Sequence, residues 1–276
     1  MKLPAWHVHL DVWLLLGLAA AGYIAAIRRR SRERGEPVDR RHARMFVAGV
    51  AVLWLGADWP IHDLSERYLY SAHMVQHMLF TLVAAPLIVA GTPAWVLRRI
   101  LALPLIGRAV RFLVRPIVAL VLFNGLLLFT HWPEIVALSV RSELAHFCLH
   151  TALFGSALAM WWPILSPLPE LPSLPAPGQM LYLFFQSLAP TIPASFLTFG
   201  TKPLYPVYVT FPRIWGIDAL TDQLVAGLVM KLVGGFILWG VIAAIFFRWH
   251  RQEQTQGWDA LGYRNVEREI RAGFTK

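Results

Sequence analysis

Histidine carries most of the chemistry open to this chain. His73-x-x-x-His77 and His146-x-x-x-His150 each set two imidazoles four residues apart, which on a helix is about one turn along the same face. Imidazole is a ligand for zinc, copper, iron or nickel. Two helices bearing such pairs can present four rings to one polar pocket, with His62 and His131 as more loosely bound members of the set. For a single histidine, a ring hydrogen-bonded to water at an interface is the simpler reading; two paired sets favour a metal. Ligating imidazoles need an acceptor on their second nitrogen. Gln76, at i+3 from His73, and Ser142, at i−4 from His146, fall on or beside the same faces. Asp58, Asp63, Asp218 and Asp222 are carboxylates that could ligate or orient, and Asp222-Gln223 is the pair we single out.

Other soft side chains point elsewhere. Met74 and Met78 neighbour the first pair, but each is rotated about 100° from the adjacent histidine and is expected to pack. Cys148 lies two residues from both His146 and His150, on nearly the opposite face, and is expected to be a packed thiol. As the chain's one cysteine, it excludes an intramolecular disulfide and any CxxC motif.

The elements that must position these rings are membrane helices. Of 276 residues, 57% are hydrophobic and only 15% charged, with a mean hydropathy of +0.53, whereas a soluble domain carries about 25% charged residues. Seven spans are expected, at residues 10–27, 43–55, 71–90, 116–130, 143–162, 179–199 and 223–247. The second and fourth are short and are expected to recruit flanking residues. The fold class is therefore all-α, a single membrane domain over 1–276 with 248–276 as a cytoplasmic amphipathic tail. Basic residues follow the first apolar run instead of preceding it, which marks a retained span and not a signal peptide.

With the N-terminus outside and the C-terminus inside, nineteen Lys and Arg fall on the inner side and five on the outer, with Lys231 inside a span. The formal charge of +9 is thus topological; no free basic stripe with interleaved aromatics suggests nucleic acid. Eight of the ten histidines then lie outside or at outer helix ends. Lys231, an ammonium well inside the last span, must pair, snorkel or lose its proton. Pro190 and Pro193, among Ser187, Thr191, Ser195 and Thr198, predict a kink and a polar inner face in the sixth span. Residues 97–113 and 258–270 have the composition of amphipathic segments on the inner surface, and a solvated loop and tail accounts for them equally well.

Three stretches together resemble the CtaG family of caa(3)-type cytochrome c oxidase assembly factors. They are Ser71-Ala-His-Met-Val-Gln-His-Met-Leu-Phe with the following Ala85-Pro-Leu and Gly91-Thr-Pro, His146 to His150 running on to Trp161-Trp-Pro, and Asp222-Gln-Leu-Val-Ala-Gly-Leu-Val-Met. The likeness spans about 71 to 239. It implies a seven-helix protein of the bacterial plasma membrane that matures a haem-copper oxidase, with copper handling as its usual proposed role. It carries interest to His73, Gln76, His77, His146, His150, Asp222 and Gln223. Lys231 departs from the family pattern, which has Trp after the Met.

The expected function is therefore that of a non-enzymatic assembly factor. It would bind copper at the outer face and pass it to an oxidase subunit within the lipid bilayer; a homo-oligomer is left open. Other classes stay in view: a zinc metallohydrolase using three histidines and an activating carboxylate, a membrane cytochrome with histidines as haem ligands, and a metal-free scaffold.

Overall fold

Polar backbone groups cannot be left unsatisfied in hydrocarbon, so a chain this apolar must fold as helices or a closed barrel. The computed structural model describes residues 6–35 and 37–260, with the side chains of 256–260 excepted. Every regular element among them is helical. Helix α1 (Leu10–Arg34) ends at Gly35, whose φ of 65° supplies the left-handed stop. Helix α2 (Arg40–Ala57) starts at Asp39, whose carboxylate caps the amides of Arg41 and His42. The short α3 (Ile61–Arg67) continues it as one 28-residue apolar stretch.

Next come α4 (Tyr70–Gly91), α5 (Ala94–Leu101), α6 (Pro104–Leu113), α7 (Pro116–Thr130), α8 (Pro133–Arg141) and α9 (Glu143–Leu165). The bundle closes with α10 (Ala176–Phe199) and α11 (Ala219–Thr255). Six stretches are long and apolar enough to cross a membrane, and the pair α6–α7, bent by 84°, would make a seventh.

These spans match the expected ones, with one difference. The second recruits its flanks, but the fourth does not. Helix α7 keeps its 15 residues because Pro116 starts it and α6 turns away. At about 1.5 Å per residue it is short for a bilayer core. Helices α5 and α6 are both amphipathic, as read for residues 97–113. The expected amphipathic stretch 258–270 lies mostly outside the described residues. In α10 the regular helix stops at Leu188 and restarts at Thr191, the break expected at Pro190. The hydroxyls of Ser187, Thr191 and Ser195 bond back to carbonyls of their own helix, and the three residues are only partly buried.

Helix α4 is the centre of the bundle, packed by α2, α9 and α11. Met78, Leu82, Phe123, Leu153, Met160, Trp161 and Leu183 join α4, α7, α9 and α10 in the main core. Two close approaches need glycine: a Cβ on Gly91 would meet the Phe46 amide nitrogen at 2.3 Å, and one on Gly227 the Ala194 carbonyl at 2.8 Å. Outward-facing positions stay apolar, with Leu14, Leu18, Ile117, Phe147, Phe199 and Phe236 all more than half exposed, as lipid contact requires. Cys148 belongs to that outer surface: it is exposed, not the packed thiol expected. Its face was read correctly, but in a membrane bundle the outer face is as apolar as the core.

The two ends of the bundle differ. At one, Arg30 and Arg99 flank the Trp95 ring at 4.9 and 5.1 Å, and Arg98 pairs with Glu170 at 2.7 Å, which holds the exposed Glu170 carboxyl below its usual range. At the other, histidines gather.

Candidate metal centre

Helix α4 brings His73 and His77, and its start is fixed from across the bundle. Leu69, before its first turn, offers no side-chain cap. The carboxylate of Asp222 on α11 accepts instead from the Tyr70 and Ser71 amides at 2.7 and 3.0 Å and from the Ser71 hydroxyl at 2.5 Å. Just past His77, α4 widens into a π-helical turn at Leu79–Ala84. Trp161 of α9 donates its indole N–H to the Thr81 carbonyl within that turn at 2.8 Å, and the Thr81 hydroxyl bonds the His77 carbonyl at 2.7 Å. Such turns recur at functional sites because they re-aim neighbouring side chains. Helix α9 brings His146 and His150, its first turn capped by Ser142 through the Ala145 amide.

The two pairs meet. Nε2 of His77 lies 2.9 Å from Nε2 of His73. The His150 ring stands 5.1 Å from that of His73 and 4.8 Å from that of His77. One donor nitrogen from each of these three rings lies within 4.8 Å of the others. His131, at the end of α7, stands behind them with its ring 5.7 Å from His77. Its Nδ1 lies 2.7 Å from the Leu127 carbonyl. A carbonyl can only accept, so the ring proton sits on Nδ1 and a lone pair on Nε2. That Nε2, like the Nε2 of His150, is buried with no hydrogen-bond partner. Burial also pushes His131 down to about 4, so the ring is neutral at neutral pH. Buried, unpartnered lone pairs are costly unless something positive meets them. The donor set therefore fits a metal ion that prefers nitrogen.

A second group lies beside it. His62 and Glu66, on α3, and His146 again place one donor atom each within 4.8 Å of one another. Glu66 reaches His146 Nε2 at 3.3 Å and His62 Nε2 at 3.5 Å. The other nitrogen of His146 is held by the Ser139 hydroxyl at 3.2 Å, and the Nδ1 of His62 lies 3.3 Å from the Gln76 amide. The His146 ring stacks on that of His150 at 4.2 Å. A cavity of about 170 Å³ touches His73, His77, His146, His150 and Glu66.

Among the residues expected from spacing, His73, His77, His146, His150, His62 and His131 are brought together; the four paired rings line one cavity, and their donor atoms fall into two groups about it. Gln76 supports His62, not the pair on its own helix. Asp222, expected as a ligand, is spent on the start of α4. Gln223 clamps both backbone groups of Tyr205 at 3.1 Å, and Tyr205 in turn donates to the His131 carbonyl at 2.8 Å. Ser142 is a helix cap and bonds no imidazole among the described contacts; Ser139 takes the role foreseen for it. Asp58 accepts from the Trp13 indole at 2.7 Å. Lys231, whose partner the sequence did not reveal, donates to the Thr191 hydroxyl at 2.6 Å. Met74 and Met78 are buried in the core as expected. Glu66 and Ser139 escaped the sequence reading. His62-x-x-x-Glu66 repeats the one-turn spacing and was the available signal; nothing marked Ser139.

No curated protein and no solved structure matches the chain significantly. The family profile described as cytochrome c oxidase caa3 assembly factor (Caa3_CtaG) matches residues 21–252, which include α2 to α10, most of α11 and all the histidines of the two groups. The chain belongs to the Caa3_CtaG family of cytochrome c oxidase caa3 assembly factors.

Proposed function

We propose that the protein is a copper-handling assembly factor. It takes up one copper ion on His73, His77 and His150, with the Nε2 of His131 as the adjoining donor, and delivers it to an oxidase subunit in the same membrane. The observation that carries this reading is the convergence of three imidazoles from two spans on one buried point, beside ring nitrogens that have no other partner. Nitrogen-only donors suit copper and zinc better than hard cations. A haem-copper oxidase needs copper, which makes copper the cargo and not a resident cofactor.

The histidine end faces the exterior of a bacterial plasma membrane in this reading, because the arginines gather at the other end. The chemistry asked of the protein is ligand exchange. The chain supplies imidazole rings held at fixed depth by the surrounding core, and forms or breaks no covalent bond in a substrate. The role is thus non-catalytic.

The test is complementation. Cells lacking the protein are given the wild type or a variant carrying His77→Ala and His150→Ala, and the copper content and activity of the oxidase in their membranes are measured. Restoration by the wild type alone, with equal amounts of both proteins in the membrane, supports the reading. Equal restoration by both would show that the imidazoles are not used.

A further inference from the structure

The site just described is buried, and His62, Glu66 and His146 have no part in it as ligands. We infer that these three residues form a second metal site, a loading station through which the ion reaches His73, His77 and His150, with His146 as the ring that hands it over. This rests on the reading of the inner site as a copper site.

Three observations carry the inference. First, the outer donors already lie within bonding reach of one ion, each held by a neighbour: Ser139 fixes His146, Gln76 fixes His62, and Glu66 sits between the two rings. Glu66 is about one-third exposed while His77 is 6% exposed and His73 and His150 are part-buried, so the outer group is the more open of the two.

Second, a line of imidazoles runs from the surface inward. His7 and His9 both face the buried carboxylate of Asp63, at 3.2 and 3.4 Å. The His9 ring then contacts His62 at 4.7 Å, His62 contacts His146 at 6.2 Å, and His146 stacks on His150 at 4.2 Å. Third, Glu66 and His146 touch the same 170 Å³ cavity as the inner three histidines, so no protein wall separates the stations.

The donor chemistry sets the direction. One carboxylate oxygen with two imidazoles is a harder set than three imidazoles, and copper(I) prefers the latter. Transfer is then stepwise ligand exchange: the copper bonds to Glu66 and His62 break as bonds to His150 and His77 form, and the bond to His146 breaks last as His73 completes the inner set. Copper keeps its oxidation state, and neither a reductant nor a proton is consumed.

The experiment titrates copper(I) into the purified full-length protein against a chromogenic chelator under reducing, anaerobic conditions, and follows loading by stopped flow. Wild type should bind two ions per chain. Glu66→Gln combined with His62→Gln should bind one, with inner-site affinity kept and loading slowed by about ten-fold or more. His73→Gln with His150→Gln should keep one weakly held ion. Glu66→Gln alone, nearly isosteric, serves if the double variant misfolds, and should also lose one ion or slow loading. Wild type binding one ion that only the inner variant loses, or an outer variant loading at the wild-type rate, overturns the loading station and leaves the inner site standing. Failure of wild type to bind copper at all overturns both.

Discussion

Asp222 is the residue whose removal should most clearly separate positioning from ligation. It is wholly buried on α11 and accepts three hydrogen bonds from the first turn of α4. Asp222→Ala orphans the fully buried Tyr70 amide and the part-buried Ser71 amide. Each unsatisfied buried donor costs about 1–3 kcal/mol, and the Ser71 hydroxyl can rotate to another acceptor, so the loss should be about 2–5 kcal/mol. Asp222→Asn keeps one accepting oxygen but turns an N–H toward an amide donor, and should cost about half as much. For a chain of this size each kcal/mol moves the melting temperature by about 2–4 °C. Tryptophan fluorescence at one fixed scan rate, in detergent, should therefore place Asp222→Ala about 5–15 °C below wild type, with Asp222→Asn between. Copper stoichiometry in the cold should stay unchanged, because Asp222 holds the helix and not the ion. A variant that melts like wild type yet loses copper would refute this reasoning and return the carboxylate to the ligand set.

Three further outcomes follow from the same structure. With chelator present, apo-protein stability should fall as pH drops from about 6.5 to 4, because unfolded histidine takes up a proton that buried His131, lowered to about 4, refuses. That gap is worth about 3 kcal/mol, and His131→Leu should make the chemical-denaturation profile less steep in that window by about that amount while leaving its slope unchanged above about pH 7. Gly91→Val should drive a side chain into the Phe46 backbone and push α2 off α4. A loss of about 3 kcal/mol or more is expected, read as lower yield and melting temperature. Lys231→Met should match or exceed wild-type stability and bind the same amount of copper, since it removes an ammonium from an apolar span whose one described partner is the Thr191 hydroxyl. A drop in copper would place Lys231 on the delivery route.

Which parts of this architecture can be read from residues alone follows from what is periodic. Apolar runs of span length locate the helices because the bilayer sets their length, and one-turn spacing puts His73 beside His77 and His146 beside His150 whatever their neighbours do. Where α7 stops was less legible: Pro116 starts it, but only the bend to α6 shows that nothing extends it. Helix rotation is also invisible in spacing. It decides that His146 turns toward Glu66 while His150 turns toward His77, and so sorts the rings about one cavity into two donor groups. Long-range polar ties are equally hidden: Asp222 reaches Tyr70 across 152 positions, and its acidity beside a histidine-rich end made it look like a ligand. The exposure of Cys148 marks the same limit, since apolar composition does not separate lipid-facing from buried sides of a membrane helix.

X-ray absorption at the copper edge tests the central claim most directly, on protein carrying Glu66→Gln and His62→Gln and loaded with one copper(I) equivalent. The spectrum should show nitrogen scatterers only, with the multiple-scattering pattern of imidazole, and that pattern should weaken markedly when His73 and His150 are also changed to Gln. Sulfur scattering from a methionine, or an unaltered spectrum in the variant lacking those two rings, would contradict the account.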